Sequence, residues 1–191
     1  MGDMADHVFV TDSKVCTGCR TCEIICSLSH DGECNPETSR IHILQREEHG
    51  LDLPVVCQQC HTPVCRTVCP ANAIDRDAAT GAMVVDAEKC TGCEACVFAC
   101  YFGAVNLRQV GKKRKAFMCD LCGGEPMCVK FCDTHAVSYP AAEERALQQK
   151  SHSMREALFH LGRLNWNSRT SRLLAKITEV REPASTSAEG G

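Results

Sequence analysis

Sixteen of the seventeen cysteines in this 191-residue chain stand in four runs of four. The first run is Cys16, Cys19, Cys22 and Cys26, and the second is Cys57, Cys60, Cys65 and Cys69. The third is Cys90, Cys93, Cys96 and Cys100, and the fourth is Cys119, Cys122, Cys128 and Cys132. Odd runs follow C-x2-C-x2-C-x3-C; even runs stretch the middle gap to four or five residues. Thiols this dense form disulfides or bind metal. The stretch before Cys16 has no basic region, no apolar run of signal length and no twin-arginine pair. The expected setting is therefore cytoplasmic and reducing, where clustered cysteines ligate metal.

The spacing suits a cubane iron–sulfur core, which needs a thiolate at each of its four iron corners. Cysteines at i and i+3 grip adjacent corners from one loop, and a third reaches the next corner if the loop wraps. Gly18 and Gly92 allow the sharp turn and the close approach of backbone to sulfur. The last cysteine, four residues on, lies one helical turn away. In two-cluster ferredoxins that residue ligates the neighbouring cluster. Sixteen thiols thus provide ligands for four [4Fe–4S] clusters. Zinc sites combine two separated pairs into a tetrahedron and need neither the third nor the fourth member of such a run. A zinc or nucleic-acid module is the weakest reading. The formal charge of −3, with 21 basic and 24 acidic residues, also weighs against nucleic acid.

The elements that must position these thiols repeat with them. "DSKVCTGC" is echoed by "DAEKCTGC", and "PANAIDR", "YFGAVNL" and "DTHAVSY" follow the last three runs, which marks a duplicated unit. "HVFV", "RIHIL", "AMVVD" and "AVNL" read as short strands, and "DAATGAMVV" as a hairpin turn feeding one of them. After Pro140 the cysteines stop. Met154, Ala157, Leu158, Leu161 and Leu164 line one face of an expected helix, and Leu173, Leu174 and Ile177 point inward from a second. The polar "REPASTSAEGG" is expected to be disordered. No segment approaches the roughly 20 apolar residues of a membrane span.

On all four cysteine runs and their order, over roughly Val8 to Tyr139, the chain resembles the four-cluster, ferredoxin-like electron-transfer subunits of bacterial molybdenum and tungsten oxidoreductases. The resemblance implies an α+β chain, a duplicated bacterial-type dicluster ferredoxin fold with a C-terminal helical extension. Residues 1–139 would carry the clusters, 140–182 the helical extension and 183–191 the tail. It also implies nested ligation. Cys16, Cys19 and Cys22 would act with Cys132, and Cys119, Cys122 and Cys128 with Cys26. Cys57, Cys60 and Cys65 would act with Cys100, and Cys90, Cys93 and Cys96 with Cys69. Spacing alone leaves a tandem pairing open. Only Cys69 is followed by proline; Ser27, Tyr101 and Asp133 stand elsewhere, so the backbone exit is expected to differ at three corners.

The compact length and helical tail resemble most the small iron–sulfur subunit of tungsten aldehyde oxidoreductases. The function so implied is conduction of single electrons from a molybdenum- or tungsten-pterin catalytic subunit to a flavoprotein or another acceptor. No residue of the chain itself would be catalytic. The alternatives are a free polyferredoxin, or the iron–sulfur subunit of a hydrogenase, a formate dehydrogenase or a carbon monoxide dehydrogenase. The apolar helical face argues against a free ferredoxin, since it must pack on something. The face either folds back over the cluster domain or meets a partner or a second copy of the chain, and Trp166 is either an interface anchor or core.

Single residues have milder expectations. "GKKRK", residues 111–115, reads as a solvated loop or a contact for an acidic partner. Cys34, in a polar turn, reads as a free thiol, and Tyr101 and Phe102 as a shield over a cluster. His61 and His135 stand close enough to ligand cysteines to hydrogen-bond sulfur, or else occupy loop surface; the remaining histidines show no ligand spacing.

Overall fold

Short apolar runs bounded by Gly, Asp and Pro cannot build a wide sheet. In the computed structural model, which describes residues 7–47 and 50–164, they form separate two-stranded ribbons. The first half of the chain runs Val10–Thr11 (β1), Thr21–Asp31 (α1), Ile41–Arg46 (β2), Leu51–Val56 (β3), Val64–Thr67 (α2), Ile74–Arg76 (β4) and Met83–Val85 (β5). It continues with Ala95–Ala99 (α3), Asn106–Val110 (β6), Lys113–Phe117 (β7), Met127–Lys130 (α4), Val137–Ser138 (β8) and Glu144–Leu164 (α5).

Three ribbons are local antiparallel hairpins, β2–β3, β4–β5 and β6–β7, and the fourth joins β1 to β8 across the whole chain. Backbone bonds from Val8 N–H to Pro140 O (2.9 Å) and from Asp12 N–H to Ala136 O (2.8 Å) lengthen that closure. Pro54 lies in β3 opposite Ile43. A proline is tolerated there because a two-stranded ribbon has only edge strands. The β4–β5 turn is the hairpin expected from sequence. The Asp77 carboxylate accepts from the N–H groups of Ala79 (3.2 Å) and Thr80 (2.8 Å), and from the Thr80 hydroxyl (2.7 Å).

Phe9, Ile41, Val56, Met83 and Val137 are almost fully buried. The core they form also contains Cys26, Cys57, Cys90, Cys96, Cys119 and Cys128. A chain poor in aromatics therefore builds its interior around sulfur, and buried thiols pack as small hydrophobes.

Helix α5 folds back onto β1. Ala157 is buried, and Met154 and Leu158 pack against the core. The Ser153 hydroxyl donates to Thr11 O, and Glu156 accepts from Ser13 (3.2 Å) and pairs with Lys14 (3.8 Å). The part of the face at Met154, Ala157 and Leu158 is thus covered by the chain itself, and to that extent it no longer weighs against a free ferredoxin. The side chains of Leu161 and Leu164 lie outside the described residues, as do Trp166, the second helix expected around Leu173, Leu174 and Ile177, and the 183–191 tail. Among the described residues no helix is long and apolar enough to cross a membrane.

Candidate iron–sulfur sites

Each run opens on a tight loop. The residue before the second cysteine has positive φ in all four: Gly18 at 65°, Gln59 at 50°, Gly92 at 73° and Leu121 at 59°. At Gly92 this is joined by a close approach, since a Cβ there would collide with the carbonyl oxygen of Arg114 in β7. The third cysteine then sits in a short helix: Cys22 in α1, Cys65 in α2, Cys96 in α3 and Cys128 in α4.

The exits from the last three runs are alike, although only one carries a proline. Three residues after the last cysteine, Asn72, Gly103 and His135 take φ of 48°, 61° and 54°. Each donates its N–H to the carbonyl of that cysteine, at 3.2, 3.2 and 3.1 Å. The alanine that follows is buried each time, and the N–H groups of Ala73 and Ala104 reach Cys69 Sγ (3.3 Å) and Cys100 Sγ (3.4 Å). The repeated turn–Ala–β-branched pattern is this device. The expectation of three deviant corners is corrected to one. Only the first run leaves differently, because α1 continues past Cys26 to Asp31.

The thiols group across runs. Cys16, Cys19, Cys22 and Cys132 line one cavity with Ile43, Pro54 and Val137. Cys57, Cys60, Cys65 and Cys100 line a second with Met83, Tyr101 and Phe102. Cys90, Cys93, Cys96 and Cys69 line a third with Ile74, Val85 and Ala116. Cys26 and Cys122 meet at His30, each sulfur 3.9 Å from one of its ring nitrogens, and Cys119 and Cys128 lie close enough to Cys26 to feel its charge, which makes a fourth group. The arrangement in space is nested, three thiols of one run with the last thiol of another.

These groups fit a cationic core. None of the cysteines is in a disulfide. Burial pushes Cys57 up to about 12, Cys96 to about 11 and, with the Glu23 charge adding, Cys22 to about 12. Alone, such thiols hold their protons at neutral pH; a bound metal centre takes the place of those protons. The Nη1 of Arg40 is buried without a hydrogen-bond partner among the described residues, a donor that an anionic sulfide of a bound core would satisfy.

Cations stand beside several sites. The lysine run spans the β6–β7 turn and the start of β7, and is not a free loop. Lys112 and Lys113 are exposed, Arg114 pairs with Glu94, and Lys115 Nζ donates to Cys90 O (2.6 Å). Arg76 donates to Cys60 O (2.6 Å). Lys150 of α5 is held below its usual range by burial, close enough to Cys60 and Cys57 to feel their charge. Phe102 is 7% exposed and closes its cavity, whereas Tyr101 is 59% exposed and shields little. Cys34 is exposed.

The histidine at the sulfurs is one that sequence reading passed over. His61 and His135 are exposed, and His135 serves the exit turn. His30, instead, sits between two runs. Its Nδ1 lies 2.9 Å from Cys26 O and 3.9 Å from Cys26 Sγ, and its Nε2 lies 3.0 Å from Asp120 Oδ1 and 3.9 Å from Cys122 Sγ. Both nitrogens face acceptors, so both carry protons. The Asp120 hydrogen bond, with the two sulfurs adding, pushes the ring up to about 12. Burial would raise Asp120, but His30, the Cys122 N–H (3.0 Å) and Arg40 bring it to about 2. Burial likewise opposes ionisation of Cys26, yet His30 and the Arg40 N–H (3.3 Å) lower it. The available signal was position: His30 is four residues beyond Cys26 on α1, hence on the same helical face.

The family model described as "4Fe-4S dicluster domain" matches residues 48–141, which span the second to fourth runs. The chain is 46% identical over 125 residues to the aliphatic sulfonate oxidoreductase, polyferredoxin-like subunit, of Pyrococcus furiosus, covering 65% of this chain and 70% of that one. It is 38% identical over 142 residues to the putative electron transport protein YsaA of Escherichia coli, covering 69% and 88%. It is 36% identical over 155 residues to the electron transport protein HydN of Escherichia coli, covering 69% and 86%. With these loops, exits and matches together, the chain belongs to the family of ferredoxin-like electron-transport proteins built on the 4Fe-4S dicluster domain.

Proposed function

We propose that this chain is an electron-transfer subunit of an oxidoreductase complex that seats four [4Fe–4S] clusters through the sixteen run cysteines. The observation that carries the reading is the nested grouping of thiols, each set closed by the last cysteine of another run. Bound clusters supply one-electron transfer. The chain's own residues hold and shield them: the loops grip three corners, the buried alanines turn N–H groups to sulfur, and Phe102 excludes water.

The Pyrococcus furiosus relative is named as a polyferredoxin-like subunit, which supports a role inside a complex. On the family resemblance, the electron donor is a catalytic subunit with a pterin-bound molybdenum or tungsten ion, as in tungsten aldehyde oxidoreductase. The acceptor is a flavoprotein or another acceptor subunit. The location is the cytoplasm. A second reading, a free polyferredoxin, gains from α5, whose apolar face packs on its own domain.

Two measurements test this. Anaerobically reconstituted protein is expected to hold about sixteen iron and about sixteen labile sulfide per chain, four of each per cubane. A count near half of that ends the four-site reading. Purification from the native host is expected to co-elute a molybdenum- or tungsten-containing large subunit. Recovery of the iron-loaded chain alone favours the free ferredoxin.

A further inference from the structure

We infer that the exposed surface around Cys93, built from Phe98 of α3, Val110 of β6 and the neighbouring Lys112 and Lys113, docks an acidic one-electron carrier protein that takes its electrons from the third thiol group. The inference rests on the reading that this group holds a cluster.

Of the sixteen run cysteines only Cys19 and Cys93 are exposed. Electron transfer falls off steeply with distance, so a carrier exchanges electrons where a ligand sulfur reaches the surface. The two windows differ in charge. Beside Cys19, Lys14 pairs with Glu156 and Arg20 with Glu23. Asp52 stands against Gly18, and Asp133 lies close enough to Cys19 to feel its charge. That surround is acidic.

Beside Cys93 the balance is reversed. Arg114 cancels Glu94, the residue after Cys93, and Lys89 cancels Asp86 at 3.0 Å. Arg108, further back on β6, pairs with Asp31. Glu88 is exposed, and against it stand the exposed Lys112 and Lys113 and the half-buried Lys115, whose Nζ donates to Cys90 O (2.6 Å) in the same binding loop. The surplus at this window is positive. A core held by four thiolates is anionic overall and repels an acidic carrier. Lysines at its rim offset that repulsion and steer the encounter.

Apolar contact completes the surface. Phe98 is 84% exposed, and its N–H donates to Glu94 O (3.2 Å), one turn from the Glu94–Arg114 pair. Val110 is exposed too and lies opposite Lys113 in the β6–β7 ribbon. Electron-transfer encounters bury less than about 1,200 Å², so an aromatic anchor with a charged rim suffices for a carrier that must leave quickly. In the step itself the reduced third group loses one electron and the carrier's cofactor gains it.

Flavodoxin, an acidic carrier, and mitochondrial cytochrome c, a basic one, serve as probes. The loaded full-length protein is reduced with dithionite, desalted and mixed with each probe by stopped flow. Calorimetry of the oxidised protein with oxidised flavodoxin reads binding with no electron moved. Lys112→Glu with Lys113→Glu is expected to weaken flavodoxin binding and slow its reduction about ten-fold at low ionic strength, a gap that closes as salt rises. Cytochrome c is expected to react as fast or faster. Lys14→Glu with Lys130→Glu makes the same change in net charge beside the first and fourth runs, and is expected to leave flavodoxin near wild type. Phe98→Ala is expected to weaken flavodoxin binding several-fold with its salt dependence unchanged.

The assignment is overturned if the Lys112 and Lys113 change leaves flavodoxin unaffected, if the Lys14 and Lys130 change does as much, or if both probes slow together. Self-association of wild type in sedimentation, lost on the Lys112 and Lys113 change, gives the surface to a second copy and overturns it as well. Should the charge reversal release iron, Lys112→Gln with Lys113→Gln takes its place and is read in the same way. Iron and sulfide are counted in every sample. A wild-type count short of about sixteen sinks the four-site reading, whereas the docking surface is judged by the calorimetry and the two probes.

Discussion

The first and third runs begin alike and end differently. Both carry Cys-Thr-Gly-Cys, with Gly18 and Gly92 at φ of 65° and 73°, and both enter their helix through a left-handed residue, Arg20 at 61° and Glu94 at 66°. Helix α3 then stops after five residues at Cys100, whereas α1 runs for eleven, past Cys26. The difference lies in where the helix ends: α3 gives way to extended backbone at Cys100 itself, whereas α1 runs on to a left-handed Gly32. Gly103 follows Cys100 by three positions and Gly32 follows Cys26 by six. An early stop turns the Ala104 N–H onto its cysteine sulfur. A late stop keeps the equivalent N–H in the helix and offers the side chain of His30 instead. One binding loop thus acquires two different walls, according to whether the helix that follows ends at its last cysteine or runs on beyond it.

That contrast can be broken in stages. The largest effect is expected at Glu23, the residue after the third cysteine of the first run, where the third run has Val97. Its side chain is fully buried and accepts from Ile43 N–H (2.6 Å) and Arg20 Nε (2.7 Å), tying long α1 to β2. Glu23→Ala leaves that buried N–H unsatisfied and should cost about 2–4 kcal/mol in denaturant unfolding of the loaded protein. Val97→Ala should cost less.

Next come the paired glycines. Gly92→Ala drives a Cβ into backbone, the Arg114 carbonyl, at a left-handed φ, and should cost about 2–3 kcal/mol. Gly18→Ala has the same φ penalty but meets only the side chains of Asp52 and Gln45, which can swing away, so about 1–2 kcal/mol is expected. Thermal release of iron from the two variants ranks them; equal losses would remove the distinction between the two loops.

The smallest effect is at the end of α1. Gly32 donates its N–H to Leu28 O (3.1 Å) at φ 71°, with nothing near its missing Cβ. Gly32→Ala should cost about 1 kcal/mol and speed amide exchange over Leu28 to Gly32, while α3 is unchanged.

Much of the sites was written in the local sequence. Spacing gave the four loops, and the shared Asn/Gly/His–Ala–β-branched ending marked three exits, because a left-handed turn and a buried small residue are local demands. Proline after the last cysteine was the wrong thing to weigh, since Gly103 and His135 make the same turn as Asn72. The contacts that define the fourth thiol group were hidden, because they join residues far apart: His30 with Asp120, and Arg40 with Cys26. Likewise β3 was obscured by Pro54, which reads as a strand breaker until its partner strand is known to be the only one. The fold-back of α5 depended on where its apolar face would land, and periodicity reveals a face without naming its target.

The pairing of the first strand with the last, clasped by α5, imposes a schedule on how the molecule is made. The thiols that meet between Cys57 and Cys100 are all available once the third helix has left the ribosome, and the loops they close are short. Those that join the first run to the fourth must wait until the fourth run is synthesised, and the loops they close are much longer. Maturation is therefore expected to proceed from the centre outward, so that a chain interrupted late in synthesis would emerge with its middle complete and its two ends still unmet.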